Sequence, residues 1–283
     1  MSFRLFDIKR FAINDGPGIR TTIFMKGCPL HCVWCHNPEG ISSQPQMMFT
    51  RKKCIGCKSC MGLTDEEAAE VCPTLARQMA GKQWTMDQLM AVIEKERKVM
   101  EDSHHGGVTI CGGEPLLHHA DTLEILRELG KRGFHRCIDT SLYAPQHVVD
   151  AVAAECELLL IDIKHMNSDI HLKHTGVPNP LILANIRHLA EAHKPFWIRI
   201  PLIEGINADE DNIEQTASFL ASLPTPPQQV NLLPYHDTGK GKHDRLGTVY
   251  NPANIAMATP SESTLQRCVS QFAMHGIKAI TGG

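Results

Sequence analysis

The sequence lacks a long apolar run. Its opening, MSFRLFDIKRF, scatters charges where a signal peptide needs an unbroken hydrophobic stretch, and no later segment reads as a membrane span. It lacks an excess of either charge: 28 Lys and Arg face 31 Asp and Glu, a net of −3. A broad basic field for nucleic acid is therefore not expected. It also lacks repeats and low-complexity tracts. Together these absences predict a cytoplasmic protein that needs neither a membrane nor nucleic acid. The 283 residues, 42% hydrophobic and 21% charged, suffice for one large α/β domain, alone or with an inserted module.

Cysteine, by contrast, is abundant. There are 11, too many for chance and wrongly placed for a disulfide framework in a reducing compartment. Seven lie between residues 28 and 72 in two clusters with metal-ligand spacing. Cys111, Cys137, Cys156 and Cys268 stand alone and read as small core residues. Most of the 16 histidines, such as His104-His105 and His118-His119, sit in polar surroundings and read as solvated loop residues.

From about residue 85 the chain alternates helical and strand patterns. Thr85 followed by Gln88 marks a capping-box helix start. Apolar strands are expected at 21–25, 108–111, 136–139, 158–163, 196–202 and 230–233. Helices are expected around 86–93, 123–129, 148–152, 181–192, 213–220 and 261–275. Six strands joined by helical crossovers imply a parallel sheet, curled into an open barrel or doubly wound. Residues 46–83 break the rhythm. They are cysteine-rich and poor in apolar periodicity, and so long a loop requires metal to organise it. The expected organisation is a body of residues 1–45 and 84–283 with an inserted module at 46–83. Residues 224–227 and 237–244 read as exposed connecting loops, the second a mobile one.

Cys28, Cys32 and Cys35 follow the first strand with C-x3-C-x2-C spacing. Three thiolates on one tight loop suit a cuboidal 4Fe–4S cluster. With no fourth cysteine in the run, one iron stays open, and an open metal position is where chemistry occurs. The competing reading is a zinc site completed by His31 or His36. The triplet does not divide into the paired ligands that structural zinc prefers.

The triplet resembles the signature of the radical S-adenosylmethionine superfamily. Asp15-Gly-Pro-Gly-Ile-Arg-Thr21 narrows the resemblance to the glycyl-radical enzyme activating enzymes. It continues through Gly112-Gly-Glu-Pro115, Asp139-Thr140, Asp162-Ile-Lys164 and Leu233-Pro-Tyr-His236. The resemblance implies an α/β fold, a partial (βα)6 TIM-like barrel with a small ferredoxin-like insertion. It implies that Cys28, Cys32 and Cys35 hold a cluster whose open iron is chelated by the cofactor. Gly112 and Gly113 would let backbone approach the methionine end, and Glu114 would accept from the amino group. Asp139, Lys164 and His236 would hold ribose, carboxylate and adenosyl portions, Arg199 would reach the methionyl end, and Trp34 would pack near adenine. A monovalent cation would lie between Asp139 and Asp162. Asp15, Gly16 and Pro17 would receive the glycine loop of a partner glycyl-radical enzyme, and a flavodoxin or ferredoxin would supply electrons. Two departures stand out: Cys111 replaces a common serine, and Leu142 replaces a common glycine. In parallel βα architectures sites form at the carboxyl ends of the strands, which is where these elements fall.

Cys54, Cys57 and Cys60 are spaced C-x2-C-x2-C, and Cys72 precedes Pro73. This resembles half of a bacterial ferredoxin and implies one auxiliary 4Fe–4S cluster; a four-thiolate zinc site is the alternative. Two other functions share parts of this pattern. One is a radical enzyme that modifies a small molecule or peptide directly, the other an electron-transfer or metal-stapled binding protein.

Overall fold

The computed structural model describes residues 2–282, so the outermost residues of the expected body, 1 and 283, lie outside it. The strands are β1 Ser2–Ala12, β2 Arg20–Met25, β3 Gln46–Phe49, β4 Arg77–Ala80, β5 Lys82–Thr85, β6 Gly107–Gly112, β7 His135–Thr140, β8 Leu158–Asp162, β9 Phe196–Leu202, β10 Gln229–Pro234 and β11 Ala279–Thr281. The helices are α1 Asp65–Glu70, α2 Met86–Ile93, α3 Arg97–Asp102, α4 His119–Lys131, α5 Gln146–Ala153, α6 Ser168–Thr175, α7 Pro180–Glu191, α8 Glu210–Ala221, α9 Gly239–Leu246 and α10 Glu262–Met274.

One sheet runs in the order β11-β10-β9-β8-β7-β6-β2-β1-β5. The six expected strands are β2, β6, β7, β8, β9 and β10, all parallel to one another. Sequence reading missed three more. β11 adds a parallel edge, and β1 and β5 add an antiparallel edge beside β2. A second correction concerns 237–244. Residues from Gly239 onward form α9 rather than a mobile loop, because Lys242 and Arg245 are tied down by Glu39 and Gln78.

Side chains alternate along the parallel strands, as the period-2 pleat requires. One face carries Ile23, Ile110, Ile138, Ile161, Ile198 and Val230 into the main core, where the helices cover them. The other face is the inside of the curl. Cys137, Leu158, Leu160 and Trp197 pack there as a small separate cluster. Towards the carboxyl ends the inside turns polar, through Cys111, Asp139, Asp162 and Arg199. Arg199 on β9 reaches across β8 to Asp139 on β7 at 2.7 Å, a contact that needs a curved sheet.

The segment from Gln46 to Ala80 is organised separately. β3 and β4 form their own antiparallel pair, and α1 packs against both. Thr64 caps α1 with a complete capping box, as Thr85 does for α2. β5 follows at once and returns the chain to the main sheet.

Candidate active site

The loop after β2 turns at Gly27, whose φ of +101° suits glycine. Backbone hydrogen bonds then fix the loop from two sides. Gly27 and Cys28 donate to the carbonyls of Gly40 and Ile41, at 2.7 and 3.0 Å. His31 and Val33 donate to Thr175 and His174 at the end of α6, at 2.7 and 3.0 Å. Lys26, buried, donates to the Glu39 carbonyl at 2.5 Å and closes the base of the loop. Cys28, Cys32 and Cys35 are thereby presented to one cavity of about 480 Å³ at the carboxyl ends of the parallel strands.

Thirteen of the fifteen residues given a role at the main site line this cavity. They are the three cysteines with Trp34, Gly112, Gly113 and Glu114, then Asp139, Asp162, Lys164 and Arg199, and finally Asp15 and His236. Gly16 and Pro17 do not line it. They wrap the guanidinium of Arg20, which is fully buried and donates to the Pro17 carbonyl at 2.9 Å and the Thr109 hydroxyl at 2.6 Å. His31 is exposed and off the cavity. His36 lines it, stacked on His236 with ring centres 4.0 Å apart.

Gly112 and Gly113 are required by the protein's own backbone. A Cβ on Gly113 would collide with the carbonyls of Gly27 and Gly40, and one on Gly112 with the backbone of Met25. The carboxylate of Glu114 is engaged by four donors: the hydroxyl of Thr140 (2.6 Å), the amide and hydroxyl of Ser141 (2.8 and 2.5 Å), and the amide of Leu116 (3.1 Å). Those bonds match the four acceptor sites of a carboxylate. They bolt the end of β6 to the end of β7. Burial raises the Glu114 pKa, and the hydrogen bonds from Ser141 and Thr140 oppose that shift.

The charges inside the curl are interlocked. Arg199 bonds Asp139 and lies 4.0 Å from Asp15; Lys164 bonds Asp162 at 2.5 Å. Burial lifts the Asp139 pKa to about 7 against the opposing pull of Arg199, and the nearby Asp162 and Asp15 carboxylates lift it further. Burial disfavours the charge on Lys164, but Asp162 and the Cys32 sulfur outweigh it and its pKa is raised. Burial pushes the thiols up as well: Cys32 to about 12, with Cys28 and Cys35 also raised.

Sequence reasoning missed Ser141, and it quoted Tyr235 and Thr140 within motifs without their roles, Thr140 as a donor to Glu114 and Tyr235 as a packing partner of Trp34. Tyr235 packs with Trp34, Ile203 and Ile206, and its hydroxyl lies 2.7 Å from that of Tyr250. The two noted departures resolve differently. Cys111 lines the cavity from β6. Leu142 adopts φ of +57°, the left-handed conformation that glycine would take without strain, while its side chain is fully buried. Asn185 holds that turn by donating to the carbonyls of Leu142 and Ala144, both at 2.9 Å.

Cys54, Cys57, Cys60 and Cys72 line a second cavity of about 30 Å³ with Phe49 and Arg77. Hydrogen bonding from Ser59 eases Cys57 towards its thiolate, and the Arg77 amide does the same for Cys72. Among the described residues no three His, Cys, Asp or Glu side chains are gathered for a single metal ion. A cuboidal cluster instead spreads its thiolates around a larger body, and three cysteines around the main cavity fit that donor set.

The radical SAM superfamily model matches residues 22–220. The trans-4-hydroxy-L-proline dehydratase activating enzyme of Clostridioides difficile is 35% identical over 301 residues, covering 99% of each chain. The choline trimethylamine-lyase activating enzyme of Oleidesulfovibrio alaskensis is 34% identical over 95% of each. A crystallised domain of pyruvate-formate lyase-activating enzyme from Bacteroides vulgatus shares 50% identity at a TM-score of 0.54. That match covers 62% of this chain and 99% of the domain. The chain belongs to the radical SAM superfamily, among the activating enzymes of glycyl-radical enzymes. Membership in the superfamily implies S-adenosylmethionine and a 4Fe–4S cluster. As a radical SAM protein it is an α/β fold built on a parallel sheet. Among the described residues no helix is long and apolar enough to cross a membrane.

Proposed function

We propose that this protein installs the glycyl radical of a separate glycyl-radical enzyme. The supporting observation is the convergence of the cysteine triplet, the Asp139–Arg199 and Lys164–Asp162 pairs and the Glu114 bolt on one cavity at the carboxyl ends of six parallel strands. Cys28, Cys32 and Cys35 would hold a 4Fe–4S cluster, which would supply the one electron for reductive cleavage of S-adenosylmethionine and so for hydrogen abstraction from the partner's glycine.

The chain's own residues prepare the site. The Gly112-Gly113 backbone and the Glu114 carboxylate hold the ends of β6 and β7 in register, so that Thr140 and Ser141 border the cavity at fixed positions. Lys164 faces the cavity with a held charge and attracts a carboxylate. Trp34, packed with Tyr235 and Ile203, offers a flat apolar wall for an adenine ring. Arg199 and Lys164 offset the carboxylates inside the curl, where a monovalent cation would sit between Asp139 and Asp162. Asp15, held by the Thr22 hydroxyl at 2.7 Å, faces the cavity from the preceding turn, and Gly16 and Pro17 set that turn for a partner's glycine loop.

Residues 46–83 form, on this reading, a ferredoxin-like module whose Cys54, Cys57, Cys60 and Cys72 carry one auxiliary 4Fe–4S cluster. A flavodoxin or ferredoxin is the electron source. Reconstituted protein should then hold about eight irons and eight sulfides. The functional test is anaerobic incubation with S-adenosylmethionine, reductant and a glycyl-radical enzyme encoded beside this gene. The expected result is 5′-deoxyadenosine with a glycyl radical signal in electron paramagnetic resonance. Formation of 5′-deoxyadenosine with no radical on any such partner would assign the protein to direct modification of a small molecule or peptide.

A further inference from the structure

Twelve large apolar side chains are exposed among the described residues, and five of them crowd between residues 55 and 75: Ile55, Met61, Leu63, Val71 and Leu75, each 40% to 71% exposed. The same stretch carries Cys54, Cys57, Cys60 and Cys72. Its charges are segregated. Arg51, Lys52, Lys53 and Lys58 are all exposed, and no acidic residue occurs from 46 to 64. The acids of the segment, Asp65, Glu66, Glu67 and Glu70, sit together on α1. Among the described residues none of the four cations forms an ion pair.

Exposed apolar side chains beside unpaired charges of one sign mark a protein-binding surface, and the sign selects the partner. We propose that the 51–63 segment, which exposes Ile55, Met61 and Leu63 beside the four cations and carries no acidic residue, docks a small acidic electron-carrier protein. This rests on reading the four cysteines as a cluster site. Weak redox encounters bury little area, typically under about 1,200 Å², which suits a few apolar contacts steered by charge. The β3–β4 pair that flanks this segment also touches the helix that reaches the main site. α9 packs on β3, and Arg245 bonds Gln78 at 3.1 Å. At the other end of α9, Gly239 lies so close to the cysteine loop that a Cβ would come 2.5 Å from the Cys35 carbonyl. In the step itself the carrier loses one electron, the sulfonium gains it and splits its carbon–sulfur bond, and no proton moves.

The test uses the reconstituted holoenzyme with Arg51, Lys52, Lys53 and Lys58 all changed to Glu. A flavodoxin and an acidic bacterial ferredoxin serve as probes. Binding to at least one probe should weaken about tenfold or more, and wild-type binding should fall with added salt. Cleavage of S-adenosylmethionine driven by that carrier should drop in parallel, while cleavage driven by dithionite stays unchanged. A second variant, Ile55→Ser with Met61→Ser, should weaken binding but retain its salt dependence. Unchanged binding of both carriers would overturn the proposal. So would a loss of glycyl radical formation under dithionite with carrier binding intact, which would give the face to the radical-accepting enzyme. The two readings fail separately: zinc in place of iron removes the cluster reading, whereas the binding titration reads the surface itself.

Discussion

The two sets of cysteines differ in the work the chain does around them. Cys28, Cys32 and Cys35 show part of their surface to the cavity and are otherwise encased, so desolvation raises all three pKa values. Lys164 pulls against that shift at Cys32 and Cys35. Cys54 and Cys57 are exposed, and Cys57 and Cys72 are eased towards thiolate by local hydrogen bonds rather than by a charged wall. Desolvation is costly, and it is accepted where every electrostatic contact must be strong and water must be kept out. In the second set Cys54 and Cys57 are exposed and Cys60 and Cys72 half-buried, around a much smaller cavity. Burial therefore separates the set that lines the main cavity from the set that lies near the surface.

The sharpest way to break this contrast is to remove one thiol from each set. Cys32→Ala should leave no 5′-deoxyadenosine above background. Cys57→Ala should leave the main cluster and measurable cleavage, with iron content falling from about eight to about four. Equal loss in both would mean that the sets are not separable. Gly113→Ala comes next. The added methyl collides with two carbonyls that cannot retreat without moving Gly27 and Gly40, and with them the cysteine loop. It should abolish or nearly abolish cluster retention at the main site, read by iron analysis, while the exposed set keeps its metal.

A smaller effect follows from Asp139. Its pKa is raised to about 7 when folded, above the usual carboxylate range. The folded state thus binds more protons than the unfolded one between about pH 4 and 7. Stability from this group is complete below that window, declines as pH rises through it, and is flat above. The slope is at most about 1.4 kcal/mol per pH unit. Urea denaturation of the metal-free protein from pH 5 to 8 should show the decline in wild type and lose it in Asp139→Asn.

The sequence made the inner strands and the cavity's main residues readable for one reason. Strands such as Leu158–Asp162 are apolar on both faces until they reach the cavity, so their polar carboxyl ends announce the site. The edges announced much less. β1 alternates buried Phe3 and Leu5 with charged residues, so it reads as a polar terminus, and β11 is only three residues long. α9, with the sequence GKGKHDRL, has poor helix propensity and owes its form to Glu39 and Gln78, which lie far away in the chain. The Glu114 bolt was hidden for a related reason. A motif shows the carboxylate, whereas its donors Thr140 and Ser141 come from another strand and depend on the register between β6 and β7.

The finest test uses two matched threonines. Thr64 and Thr85 cap α1 and α2 with the same reciprocal capping box: each side chain accepts from the third helical amide at 3.3 Å, and Glu67 or Gln88 returns a bond at 2.9 Å. Changing either to Ala removes a cap worth about 1 kcal/mol. The two caps are closely matched, Thr64 adding one bond from its hydroxyl to Glu67 at 2.9 Å, so a smaller global effect at Thr64 comes from the surroundings. α2 buries Leu89, Met90 and Ile93 in the main core, whereas α1 buries only Ala68. Thr85→Ala should lower the global denaturation midpoint by its full share. Thr64→Ala should leave that midpoint in place and appear only as faster amide exchange in residues 65–70, because α1 opens before the body unfolds. Metal loading should suppress that exchange if the four cysteines anchor the segment. A Thr64→Ala protein whose global midpoint falls as far as that of Thr85→Ala would show one cooperative unit, and the contrast between a rigid body and an independently opening module would fail.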